Sequence, residues 1–463
     1  MKYFRDTLGA AIQLPAPLFG SRPLLPEESR SIRHFQTVTV PAMSGFFDQD
    51  LSSFWRALPF RLGQTEPVIL HAIIALGAYH ESMELVGNGD SWNIDDNTMV
   101  DSGAEFKLRQ YAKAISLLRN NLSSTPPSAF VLEISCIIFA CIEFLRNNHQ
   151  SSLTHLSGAI TSLISNQRRR FMGNEEKALK ALLARVSLTQ SLYGRPRGFT
   201  FPNLLNLDRR PAELQEDKFG SLNEARIANT NLLGSTMLVV RMSLFGCFKD
   251  PFTAVAAHRS LKNKLRNWSV NFENLMNHSP ESMKDQRGPR LLRVHHILAT
   301  IFLAVSETGQ ECMFDRYVSQ FETILELLDL IMSHENCGKD SNLPSFSLDT
   351  GIIPPLFFTA IKCRHTKVRR KAISLLHRTT RKEGLWDAIE AAKVAEVVMN
   401  FEEQALVDDR TSEFARVPDW ALVYDVDIHN REVSDSTRQL VILKYKPGGV
   451  GTEMLDIPAY IQW

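Results

Sequence analysis

The sequence predicts an all-α protein, a large helical bundle or superhelix that ends in a small C-terminal β-hairpin. Three observations predict it. Apolar residues recur at i, i+3, i+4 and i+7 in segment after segment. The stretches between those segments are polar or carry Gly and Pro, and none has the length or bias of an interdomain linker. Period-two alternation is confined to the C-terminal end.

In chain order, residues 1–40, with prolines at 15, 17, 23 and 26, read as an extended lead-in without a core of its own. Residues 41–463 read as one unit, helical to about residue 418 and closing in a β ribbon over about 420–446. Helical periodicity starts at Glu66 (EPVILHAIIALGAYHESMEL), Glu105 (EFKLRQYAKAISLLRNNL), Asn174 (NEEKALKALLARVSLTQSLY) and Arg290 (RLLRVHHILATIFLAVSE). Asn174 followed by Glu175 and Glu176 marks a helix start, because a short polar cap and early carboxylates satisfy free amides and the helix dipole. From Phe314, one face collects Tyr317, Val318, Phe321, Ile324, Leu325, Leu328 and Ile331. Loops are expected around residues 87–103, 193–204 and 336–351.

The stretch GIIPPLFFTAIKCRHTKVRRKAISLLHRTTRKEGLWDA, Gly351 to Ala388, poses the main functional question, because its cations suit either a nucleic-acid grip or a bundle helix with a basic outer face. On a helix from about Lys367, Val368, Ala372, Ile373, Leu375 and Leu376 form an apolar side. Arg369, Arg370, Arg378 and Lys382 project elsewhere, toward solvent. No aromatics interleave with these charges to stack bases, so the structural reading is favoured. Trp386 and Leu385 lead the next apolar period, through Ile389, Val394, Val397 and Val398, and are expected to be buried between that helix and the basic one. Two β-rich runs, Leu422 to Ile428 and Gln439 to Tyr445, make the hairpin.

Composition narrows the function classes. The chain has 463 residues, 44% of them hydrophobic, and 52 Lys and Arg balance 51 Asp and Glu, so the whole molecule has no net pull on phosphate or an acidic membrane. The longest apolar run, Ile134 to Leu145, is too short to cross a bilayer, and the first residues lack the apolar core of a signal peptide. An intracellular protein without membrane partners is expected.

Six cysteines stand at 136, 141, 247, 312, 337 and 363 without a CxxC. Cys136 and Cys141 would point about 140° apart on a helix, so reduced core thiols and no zinc cluster are expected. No GxSxG, HExxH, Walker or GxGxxG motif is present. KPGGVGTE follows a strand without a helix to offer amides to phosphate and reads as a turn. His295 and His296 diverge on a helix, His334 and Cys337 lack a second pair, and NQRRR at 166–170 reads as a basic helix end. No catalytic, cofactor-binding or metal-ligating residue is assigned and no cofactor is expected. An enzyme or metabolite binder on the same scaffold would have to use scattered polar groups such as His71, Tyr79, His80 and Arg364.

Asp349, Gly351, Pro354, Pro355, Leu356, Cys363, Arg364, Arg369, Arg370, Ala372, Ile373, Leu375, Leu376, Glu383, Gly384, Leu385, Trp386 and Asp387 together resemble the C-terminal signature of a known domain. It is the regulatory domain of fungal binuclear zinc-cluster transcription factors. FFDQDLSSFWRALPFRLGQTEPVILHAIIALGAYHE, Phe46 to Glu81, is similar to the start of that domain, and YAKAISLLRNNL and VLEISCIIFACIEFLRNNHQSSLTHLSGAITSLI to its next helices. The resemblance runs from about Ser31 to the terminal YIQW. It implies a helical regulatory module of the nucleus that associates with itself, with a zinc-cluster transcription factor or with transcription machinery, and that a small-molecule effector can bias. The family's DNA reader is a cysteine-dense segment near the amino terminus, whereas no cysteine here precedes Cys136. The resemblance therefore implies a regulatory domain without its own zinc-cluster reader, or a sequence that begins after one, and direct sequence-specific DNA binding is not expected.

Overall fold

A computed structural model describes residues 23–43, 45–86, 102–124, 127–166, 174–193, 218–278, 286–335, 346–406, 416–431, 437–449 and 451–463. Helix α1 (Pro26–His34) runs through a π-helical stretch (Phe35–Thr39) into α2 (Val40–Met43), followed by α3 (Asp48–Thr65) and α4 (Pro67–Val86). Next come α5 (Ser102–Ser124), α6 (Ala129–Leu145), α7 (His149–Asn166) and α8 (Asn174–Leu192). The second half holds α9 (Leu222–Leu244), α10 (Pro251–His278), α11 (Arg287–Thr308), α12 (Val318–Glu335), α13 (Ile353–Lys362), α14 (Thr366–His377) and α15 (Ala388–Glu403). The all-α reading therefore stands.

Helices that are apolar all round belong at the centre of a bundle, and those with one apolar stripe at its rim. Accordingly α6 buries nearly every side chain from Val131 to Leu145, and α4 buries Val68, Ile69, Ala72, Ile73, Ala75 and Leu76. Around α4 pack α1, α3, α5 and α6, while α7 packs on α6. In the second half α9 lies between α10 and α11, α12 joins α11 to α14, and α13 packs on both α14 and α15. Helix α11 is long and apolar enough to span a bilayer, yet Leu291, Val294, Leu298 and Ile301 are buried in the core. Local caps agree with the sequence: Ser128 Oγ accepts from Val131 N, Ser221 Oγ from Glu224 N, and Asp387 from the amides of Ile389 and Glu390.

Two differences from the sequence reading concern the ends. Pro26 sits in the first turn of a helix, where its missing N–H costs nothing, and Ile32, Phe35 and Val40 are buried. The region from Pro26 to Thr39 is thus part of the helical core and no extended lead-in, while residues 1–22 lie outside the described residues. What lets α1 dock is Gly77 on α4, where an added Cβ would stand 2.2 Å from the Ser31 carbonyl oxygen, so only glycine admits this approach.

At the other end the ribbon has three strands, β4 (Val423–Arg431), β5 (Arg438–Tyr445) and β6 (Leu455–Gln462), antiparallel in that order. The register runs from Arg438 opposite Gln462 to Tyr445 opposite Leu455. Pro458 is tolerated because β6 is an edge strand, and KPGGVGTE is the β5–β6 connection, with Gly449 and Gly451 at positive φ. A second, minimal sheet sets β1 (Phe346–Ser347) parallel to β2 (Lys382–Glu383), which pairs antiparallel with β3 (Trp386–Asp387). It ties the chain before α13 to the chain before α15.

Candidate effector site

The basic stretch is where structure and sequence reading part most. Arg369, expected on a solvent face, is fully buried, and Lys362, Arg364, Arg381 and Lys382 are buried as well. Arg381 pairs with Glu383 two residues on, and the charges of the other four are met from other elements. Lys362 Nζ donates to Glu311 Oε2 at 3.0 Å and to the carbonyls of Val423 and Tyr424 at 3.2 and 2.8 Å. Arg364 Nη2 reaches Glu311 Oε2 at 3.2 Å and Glu402 Oε1 at 3.0 Å. Arg369 holds the other Glu402 oxygen, and Glu402 Oε1 also accepts from Val423 N at 2.9 Å. Burial opposes the Glu402 charge, but the guanidiniums of Arg364 and Arg369 outweigh it and hold the carboxyl below its usual range. Toward the surface Arg370 pairs with Glu403, at 3.0 and 2.7 Å, and Arg378 with Asp329 at 3.2 Å.

A second carboxylate organises the other end of α13. Glu383 accepts from the amides of Gly351, Ile352 and Ile353 at 3.0, 2.9 and 3.1 Å, and from Arg381 Nε at 2.8 Å. Those are free amides at a helix start, and a carboxylate there meets both the donors and the helix dipole. Gly351 makes room for it, since a Cβ would lie 2.1 Å from Glu383 Oε1. The conspicuous residues of the signature are therefore the frame of α13, α14 and α15.

Against this frame lies a cavity of about 200 Å³. Its walls are aromatic and aliphatic, from Tyr193 after α8, Met237 on α9, Phe302 on α11 and Phe358 on α13. Its polar end brings together Arg241, Glu311, Lys362, Tyr424 and Asp425. Burial raises the Asp425 carboxyl against the pull of Arg241 and Lys362. Burial, aided by Glu311, pushes the Tyr424 hydroxyl up to about 12, so it stays a donor at neutral pH. An apolar wall with a few convergent polar groups is how small-molecule sites are built. A wider groove of about 760 Å³ between α9, α10 and α11 is lined by Phe248, Pro251, His258 and Lys262. Among the described residues it gathers no comparable set of buried charges, so the smaller cavity is the better candidate.

The scattered polar groups named from sequence do not share a pocket. His71 Nδ1 pairs with Gln110 Oε1 at 2.6 Å, Tyr79 faces Lys107 and Arg146, and His80 Nδ1 meets Thr39 Oγ1 at 3.0 Å. Arg364 stands in the distant ion cluster, next to the cavity and not in its wall. His295 and His296 diverge as expected, Nε2 of one meeting the Gly351 carbonyl at 3.1 Å and of the other the Leu265 carbonyl at 3.0 Å. Cys136, Cys141 and Cys363 are buried free thiols, whereas Cys247 is exposed in the turn after α9 and is no core thiol. Cys337, the side chain of His334 and residues 167–170 lie outside the described residues. The residues missed were Glu311, Glu402, Tyr424 and Asp425. Glu402 carried a usable signal: it continues the i, i+4 row of Val394 and Val398, the buried stripe of α15.

Comparisons with known proteins agree on one kind. A family model described as the fungal specific transcription factor domain matches residues 30–398. The aspercryptin biosynthesis cluster-specific transcription regulator atnN of Emericella nidulans is 22% identical over 419 residues, covering 69% of this chain and 67% of that protein. No solved structure matches.

Proposed function

Since the chain belongs to the fungal specific transcription factor domain family and is a fungal transcription regulator, we propose that it acts in the nucleus through protein association and is biased by a small molecule held in the cavity between α9, α11, α13 and β4. The family points away from catalysis. Partners of the same family, a second copy or the transcription machinery are the expected associations. The single observation that carries the effector reading is the double role of Lys362. Its ammonium stands at the polar end of the cavity and, at the same time, ties α13 to Glu311 and to two carbonyls of β4. A ligand with an apolar body and a polar or anionic end would compete for Lys362 and Asp425 and so alter how the C-terminal sheet is held. Differential binding to two arrangements is all that a regulatory shift requires.

The test is to tether the chain to an unrelated DNA-binding module before a reporter gene and to fill the cavity by Val240→Trp. Val240 lines the cavity and is only partly buried, so the larger ring is expected to fit without unfolding the chain. Reporter output is expected to change several-fold, in either direction, at unchanged protein level and melting temperature. Equal output from the two chains would remove the cavity from the regulatory account.

A further inference from the structure

We propose that His34, His80 and Glu84 form a binding site for one zinc-like divalent transition-metal ion that clamps α1 onto α4. One ligand atom from each of the three lies within 4.8 Å of the other two. His80 and Glu84 are four residues apart on α4 and so share a helix face, while His34 comes from the last turn of α1. Along the sequence only His80 and Glu84 stand close together, and two such residues by themselves assign no metal. Here one member arrives from another helix.

The local chemistry points to a cation rather than to ordinary packing. His80 is fully buried, and its Nε2 has no hydrogen-bond partner. Its Nδ1 meets Thr39 Oγ1 at 3.0 Å, and when that nitrogen donates, Nε2 keeps its lone pair free for a ligand bond. His34 Nε2 also lacks a hydrogen bond, although Glu84 Oε2 is 3.4 Å away. Two unmet imidazole nitrogens beside a carboxylate are an unsatisfied arrangement for protons and a suitable one for a metal. The rings stand edge to face with centroids 5.5 Å apart.

Burial lowers the basicity of His34 and takes that of His80 down to about 3. Thr39 plays the part of the outer partner that fixes ring orientation around a metal-bound histidine. Two imidazoles and one carboxylate favour zinc, cobalt or nickel over magnesium or calcium, which prefer oxygen-only shells. With metal–ligand bonds of about 2.0–2.2 Å, tetrahedral ligands stand roughly 3.4 Å apart. Binding therefore requires side-chain closure of about an ångström, with solvent at a fourth position beside the partly exposed Glu84. Closure pulls α1 toward α4, which already meet at Ser31 and Gly77.

The full chain, stripped of metal with a chelator, would be titrated with Zn²⁺ by calorimetry and with Co²⁺ by visible absorption. One site per chain, cobalt bands of tetrahedral intensity and a rise in melting temperature with Zn²⁺ are expected. Affinity is expected to fall at least about tenfold in Glu84→Gln and more in His34→Ala. Both positions are partly exposed and their variants should fold, which circular dichroism checks. Absence of saturable binding, or the same affinity and stoichiometry in the two variants, would overturn the site.

Discussion

Glu402→Ala is expected to cost about 3–5 kcal/mol, enough to remove most of the soluble chain or lower its melting temperature sharply. Glu402 is fully buried and binds Arg364, Arg369 and the Val423 amide at once. Its loss leaves two interior guanidiniums with Glu311, the more distant Asp315 and backbone carbonyls in place of their shared carboxylate. The large term is that uncompensated charge and not the intrinsic worth of a salt bridge. Replacing the set together, with Arg364→Met, Arg369→Leu and Glu402→Leu, is therefore expected to be less damaging than Glu402→Ala alone, and calorimetric melting of both chains checks the order. Arg370→Ala is the control: its side chain is 39% exposed, its pair with Glu403 is screened, and a change of only ~0–1 kcal/mol is expected.

Trp386→Ala is expected to cost a similar 3–5 kcal/mol by leaving a large cavity. The indole is 1% exposed, stands edge-on to Tyr193 at 5.1 Å, contacts Phe357 at 5.1 Å, and donates from Nε1 to the Thr189 carbonyl at 3.0 Å. Its burial agrees with the sequence reading, but its partners are α8 and α13 rather than the basic helix. Trp386→Phe, which keeps an aromatic ring and loses the hydrogen bond, is expected to cost much less. Because Tyr193 and Phe358 also line the cavity, the alanine variant should blunt any effector response before it unfolds the chain. Normal melting with loss of a partner alone would instead make Trp386 a surface contact.

Helices were legible where one period ran long, as from Asn174 and Arg290, because a continuous apolar stripe has few folded alternatives. Alternation failed for β6, where Pro458 disguises an edge strand, and for α1, whose prolines suggest an extended chain although one of them merely opens a helix. The burial of Arg364, Arg369 and Lys382 was illegible for a different reason. A cation reads as solvent-facing unless its counterion is known, and Glu402, Glu311 and Asp387 lie on other elements. The cavity was hidden likewise, since its walls come from six separate segments. Only Glu402, in register with Val394 and Val398, announced itself.

We infer that the basic stretch serves as an internal frame rather than a DNA-reading surface. Five of its cations are buried, and Arg370 and Arg378 are paired with carboxylates. The direct measurement is titration of the purified chain against duplex DNA of defined sequence at physiological salt. Dissociation constants no tighter than roughly 10⁻⁶ M, indifferent to base order, are expected. Nanomolar binding to one duplex, abolished by scrambling its bases, would contradict it.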